Sequence, residues 1–207
     1  MGSPAVPQTV LHAADVSTIS QLILLERESC DLQRWQRMRS CYHPHSRVRL
    51  SWFSGTGDEY VDAMMDMSRR GLQPQHRLGP PLVRIKGARA VASVSEIVSI
   101  PERLGNTEVR MQSYALLMYR IEKREGRWVI VNLDPIYLHD ELVSALPGVP
   151  VPQVPGDLTQ YRASYRMLSY VLSLKGYQAN AELAGFDRPD SVTRLNAEVY
   201  SWADIEP

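Results

Sequence analysis

The chain has 207 residues, 44% apolar and 22% charged, enough for one domain with a sizeable core and a short extension. Its 23 basic and 23 acidic residues cancel, so there is no electrostatic case for nucleic acid or an anionic membrane as partner. Two cysteines, Cys30 and Cys41, without CxxC spacing argue against a disulfide scaffold or a cysteine-type zinc site, and for a reducing cytoplasm.

The start, "MGSPAVPQTVLHAAD", lacks the basic and apolar pattern of a signal peptide, and Val6 stands where myristoylation wants Ser or Thr. Residues 1–14 read as an arm. Residues 15–41 read as helix, capped by Asp15 or Ser17, with a break near Asp31 and a second helix from about Leu32. "RVRLSWF", residues 47–53, alternates as a strand does. "SGTGDEY" is a turn, and Thr56 or Asp58 can cap a helix running through Met67.

Past Pro74 the pattern changes to long strands. "QHRLGPPLVRIKGARAVASVSEIVSI" reads as a hairpin turning at Lys86-Gly87, and "EVRMQSYALLMYRIEKREGRWVIVNLDPIYL" as another turning near Glu125-Gly126. Helices followed by a meander of about four antiparallel strands make an α+β domain over residues 15–146, with a curved sheet suited to wrapping a pocket. The proline-rich run 147–156 reads as a stiff connector. Residues 157–207 read as an extension of two helices. The first carries Tyr161, Tyr165, Leu168 and Leu172 as an apolar stripe that should pack on the domain or on a neighbouring subunit.

Candidates for chemistry are few. Asp31 would ordinarily be a helix-surface carboxylate, but Cys30 and Leu32 beside it suggest partial burial, where a carboxyl's pKa climbs. His43 and His45 flank Pro44 in what reads as a connector, with no carboxylate near, and are read as surface-loop histidines. His76 opens a strand and suits proton transfer without a metal. Glu96 lies within the apolar strand "VSEIVSI" and faces either solvent or a polar pocket. GxSxG, GxGxxG, P-loop and metal-ligand patterns do not occur.

An acid at a helix break, then "RSCYHP", a strand, "QHRLG" opening a hairpin and "GRW" in the last hairpin resemble the SnoaL-like branch of the nuclear transport factor 2-like superfamily, with the scytalone dehydratase group as enzymatic relative. The resemblance covers about residues 15–140 and, more weakly, 157–203. It implies a cone of curved antiparallel sheet closed by helices over an apolar pocket, no metal or organic cofactor, a hydrophobic small-molecule substrate, and a homo-oligomer, trimer before dimer. It also implies that Asp31 orients His76 as general base and acid, with Glu96 as third catalytic group; a one-residue register error would put Ser95 there instead. Cys30 and Leu50 stand where scytalone dehydratase has tyrosines, so the substrate should differ, its polar ends held by Tyr42, Trp52, Tyr60, Arg77, Arg110 or Tyr114. The activity so implied is a cofactor-free lyase acting on an aromatic, hydroxylated molecule, by dehydration or by C–C cleavage such as release of formaldehyde from a lignin-derived diaryl compound. The other readings are an isomerase or cyclase of the same fold, and a non-catalytic binding protein.

Overall fold

The computed structural model describes residues 8–154 and 156–206. Residues 1–7 of the expected arm and Pro155 of the connector lie outside the described residues. Helix α1 runs Gln8–Asp31, so residues 8–14 belong to it and Asp15 is no cap. Asp15 instead accepts from the Trp128 indole at 2.7 Å and Lys123 at 3.0 Å, tying the helix to the last hairpin. The break after Asp31 is real: Gln33 takes a positive φ of 55°, and the short α2, Trp35–Arg39, follows.

Strand β1, Tyr42–Leu50, begins five residues earlier than its sequence pattern predicts and includes His43-Pro44-His45 as an irregular edge. A turn at Ser51-Trp52 leads to β2, Phe53–Gly55. Helix α3, Gly57–Arg69, starts at a full capping box: Thr56 accepts from the Glu59 amide while the Glu59 carboxylate accepts from the Thr56 amide. Gly57 is required at its first turn, because a Cβ there would lie 2.4 Å from the Tyr42 ring.

The first predicted hairpin is three strands. Gly79-Pro80-Pro81 interrupts it, since proline has no N–H to give the ladder. β3 (Gln75–Leu78) and β4 (Leu82–Lys86) therefore pair separately with β5 (Arg89–Leu104). β6 (Thr107–Arg124) and β7 (Arg127–Ser144) complete the meander. The sheet order is β2-β1-β7-β6-β5-β3, with β4 on β5 and the two-residue β8 (Ala184–Gly185) on β7. The sheet is curved and the class α+β, but it is mixed rather than antiparallel: β1 and β8 both run parallel to β7. The crossover that parallel pairing needs is supplied by everything between β1 and β7.

The stretch 157–175 is helical only at its end. Two single 3₁₀ turns, Leu158–Gln160 and Ala163–Tyr165, precede α4, Arg166–Leu174. Arg162 and Ser164 are drawn out of helix by Asp187, which both of them bind, and by the Ala181 carbonyl. Helix α5 spans Pro189–Ala203.

Two cores result. α1, α3 and α4 cover the inner face of the sheet, where Ile23, Met64, Val94, Leu117, Leu168 and Leu172 are buried. α5 covers the outer face, with Leu195 and Val199 packed on Val91, Met118 and Ile136. No helix among the described residues is long and apolar enough to cross a membrane.

Candidate active site

The inner core is not solid. A cavity of about 60 Å³ lies among α1, α3, α4 and the sheet, walled by Met64 and Met67 of α3, by Val98, Ile100, Ala115 and Leu117 of the strands, and by Leu168 and Leu172 of α4. Its polar walls are Arg27, Ser51, Tyr60, His76, Glu96, Ser113 and Tyr137. That volume holds a few water molecules. A ring-sized ligand would need the flexible methionines or α4 to give way.

Register explains who faces inward. His76 pairs with Val98 and Val98 with Ser113; Glu96 pairs with Ala115 and Ala115 with Tyr137. Side chains alternate across a sheet, so these residues share the inner face. Glu96 is 8% exposed and inside, while Ser95 is on the outer side against Gly79. The same alternation removes three residues predicted to hold substrate. Arg77, next to His76, and Arg110 are exposed, and Tyr114 lies on the outer side, stacked on His139 and hydrogen-bonded to Glu141. Tyr42 is also withdrawn: it is core, its hydroxyl donating to Glu26 at 2.8 Å, and it does not line the cavity. Trp52 and Tyr60 do line it. His43 and His45 lie within β1 rather than in a connector, half-buried and exposed respectively, with rings 5.6 Å apart and neither in the cavity wall.

Asp31 and His76 meet across the gap between α1 and β3. Asp31 Oδ1 lies 2.6 Å from His76 Nδ1, and Asp31 Oδ2 accepts the His76 backbone N–H at 2.9 Å. One carboxylate thus fixes both the ring and the backbone that carries it. Burial pushes the Asp31 carboxyl up, but the hydrogen bonds and charge of His76 outweigh it and hold the group below the usual carboxylate range. The expected climb toward a general acid's pKa does not occur. Asp31 as an anion can only accept, so Nδ1 carries a proton, which in the neutral ring leaves the lone pair on Nε2. Beyond the dyad an open groove of about 500 Å³, bordered by Leu24, Leu25, Leu32 and Leu78, leads to solvent along α1.

The sequence reading missed Arg27. It is 4% exposed, donates from Nε to Glu26 at 2.5 Å and from Nη2 to the Tyr60 hydroxyl at 3.2 Å, and stands 3.8 Å from Glu96. The signal was there: Glu26-Arg27 interrupts an otherwise apolar face, and adjacent buried charges must find partners. Tyr137 was missed too; its hydroxyl accepts the Ser51 amide at 3.0 Å and braces the β1–β2 turn over the cavity.

Cys30, Asp31 and His76 bring a sulfur, an oxygen and a nitrogen within 4.8 Å of one another. The donor set is a poor fit to a metal. The 2.6 Å contact is that of a shared proton, shorter than two ligands of one ion allow, and burial pushes the Cys30 thiol up to about 12, against the thiolate a metal needs.

A family model of the SnoaL-like domain matches residues 12–134. The chain belongs to the SnoaL-like family. No curated protein matches it by sequence. Solved structures share the fold of this SnoaL-like protein at low identity. Hexachlorocyclohexane dehydrochlorinase LinA-type3 from Novosphingobium barchaimii LL02 is 14% identical with a TM-score of 0.57, covering 70% of this chain and 100% of its own. A candidate scytalone dehydratase from Novosphingobium aromaticivorans DSM 12444 is 10% identical with a TM-score of 0.56, covering 70% and 100%. An NTF2-like protein with a cystatin-like fold from Novosphingobium aromaticivorans is 18% identical with a TM-score of 0.52, covering 64% and 90%.

Proposed function

We propose that this SnoaL-like protein is a cofactor-independent lyase acting on a hydrophobic, aromatic and hydroxylated small molecule. The observation that carries the reading is the Asp31–His76 pair, a buried imidazole beside an apolar cavity held by a half-buried carboxylate with both oxygens spent on it. Two proteins of similar fold bear the names dehydratase and dehydrochlorinase, both eliminations, which supports the class.

In the proposed reaction His76 Nε2 takes a proton from a carbon of the substrate. The C–H electron pair becomes the new double bond as the adjacent C–O bond breaks. The imidazolium, stabilised by the Asp31 anion, returns its proton to the departing hydroxyl, and water leaves. The same base taking a proton from a hydroxyl would instead let the O–H electron pair form the aldehyde C=O as the neighbouring C–C bond breaks, and the carbon left with that bond's pair would take the proton back from the imidazolium. Such proton transfer contributes about 10²–10⁴-fold, and the rest must come from positioning. A homotrimer is proposed with it on family resemblance, to be measured by light scattering.

The test is turnover of a panel of hydroxylated aromatics followed by mass spectrometry. A lyase changes substrate mass and an isomerase or cyclase conserves it, while a binding protein returns its ligand unchanged. On a substrate so found, His76→Ala and Asp31→Asn should each lower kcat by at least about 10²-fold. Full turnover in both variants would refute the assignment.

A further inference from the structure

Three buried oxygens in the cavity wall lack a hydrogen-bond partner among the described residues: Glu96 Oε1, Ser51 Oγ and Ser113 Oγ. Their residues are 8%, 1% and 1% exposed. A buried polar group without a partner is costly, and more so when charged. Three such residues among those lining one apolar cavity match the pattern of a ligand site, a few placed polar groups in a hydrophobic wall.

Arg27 decides which ligand. Its Nε and Nη2 are committed to Glu26 and Tyr60, and Glu26 is further held by Tyr42. Its Nη1 stands 3.8 Å from Glu96 Oε1, close enough to stabilise the charge and too far to hydrogen-bond it. Arg27 therefore leaves that Glu96 oxygen without a hydrogen bond and, with Nε and Nη2 taken, offers no two-pronged fork to an anionic ligand. The cavity wall itself holds one carboxyl group, Glu96, and one guanidinium, Arg27, which is already hydrogen-bonded to Glu26. An anion brought into this low-dielectric space would find the guanidinium already paired.

We infer that Glu96 is a recognition group rather than a proton-transfer group, and that the site selects an uncharged molecule whose hydroxyl donates to Glu96, rejecting the carboxylate of the same ring. The inference rests on the proposed reading of the His76 cavity and deepens it. Glu96 lies on β5 two residues from Val98, the partner of His76, so the two groups are diagonal neighbours. Such neighbours are about 7–8 Å apart, the scale of one substituted ring held between them. Ser51 and Ser113, which can donate or accept, would meet a second polar substituent.

The experiment is calorimetric binding of phenol, anisole and benzoate to the full chain at neutral pH. Phenol should bind at least about tenfold more tightly than anisole, which lacks the donor, and than benzoate, which carries the charge. In Glu96→Val the preference for phenol over anisole should vanish; in His76→Ala it should persist, which separates Glu96 from the imidazole as the acceptor. Should Glu96→Val not fold, Glu96→Gln keeps the shape and an acceptor while putting an N–H donor in place of one carboxyl oxygen, and its benzoate affinity should rise at least about tenfold. Benzoate binding as tightly as phenol, a preference unchanged in Glu96→Val, no gain in Glu96→Gln, or no measurable phenol binding at millimolar concentration would each overturn the inference. Failure of the lyase reading looks different: no panel compound would turn over, while the phenol preference stayed intact.

Discussion

Asp31 gives both of its oxygens to His76, and this division of labour sets its titration. A carboxyl held below its unfolded value stabilises the fold above about pH 3.9 and loses that contribution as the pH falls through the folded value. Asp31→Asn removes the linkage. The variant should be less stable than wild type at neutral pH, and the gap should close between about pH 5 and pH 2 in urea midpoints measured across the range. A gap independent of pH would mean that the carboxylate is not what His76 stabilises. The pair itself was legible only through the family resemblance, in which an acid at a helix break orients a histidine opening a strand; neither residue's local pattern joins the two. The direction of the pKa was not: apolar neighbours in sequence suggested a rise, and only the contact with His76 reverses it. Arg77, Arg110 and Tyr114 failed for a simpler reason. One residue along a strand is the other face of the sheet, and only register decides which is which.

Elements whose signal is local came through well, and those governed by distant partners did not. The capping box of α3 and the turns at Gly87 and Gly126 sit where the sequence puts them. The parallel join of β1 to β7 could not be read, since nothing local distinguishes a strand that pairs across the whole meander. The 3₁₀ turns before α4 replace an expected helix because Asp187 claims Arg162 and Ser164. Its bond to Arg162 first, then the Ser164 hydroxyl, hold the Asp187 carboxyl well below the usual range despite its partial burial. Its contribution is therefore present above about pH 3.9 and lost in acid. Asp187→Asn should loosen the segment joining the sheet to α4 and α5. Hydrogen exchange at Arg162–Leu168 would register this as faster exchange at neutral pH, with the difference shrinking below about pH 4. Unchanged exchange would leave the 3₁₀ turns without an explanation in that ion pair.

The molecule as a whole is one sheet with a different job on each face, and the two helices of the extension divide between them. α4 places Leu168 and Leu172 in the cavity wall, and its first turn is capped from β7 by Asp140, which accepts the Leu168 amide at 2.7 Å. α5 packs on the outer face, where Leu195 contacts the sheet without reaching the cavity. Leu168 and Leu195 are 5% and 8% exposed, so the same truncation at each tests the division with the burial nearly matched. Leu168→Ala and Leu195→Ala should each cost about 2–5 kcal/mol, with the melting temperature falling by roughly 2–4 °C per kcal/mol in a chain of this size. Their effects on the cavity should part. Leu168→Ala removes part of its wall and enlarges it, so affinity for a ring-sized probe such as phenol should change, rising if the new space is filled. Leu195→Ala should leave that affinity as it was. Equal changes in binding would mean that the two faces are coupled through the sheet and that α5 belongs to the site. A change confined to Leu168→Ala would assign the inner helix to ligand and the outer one to stability.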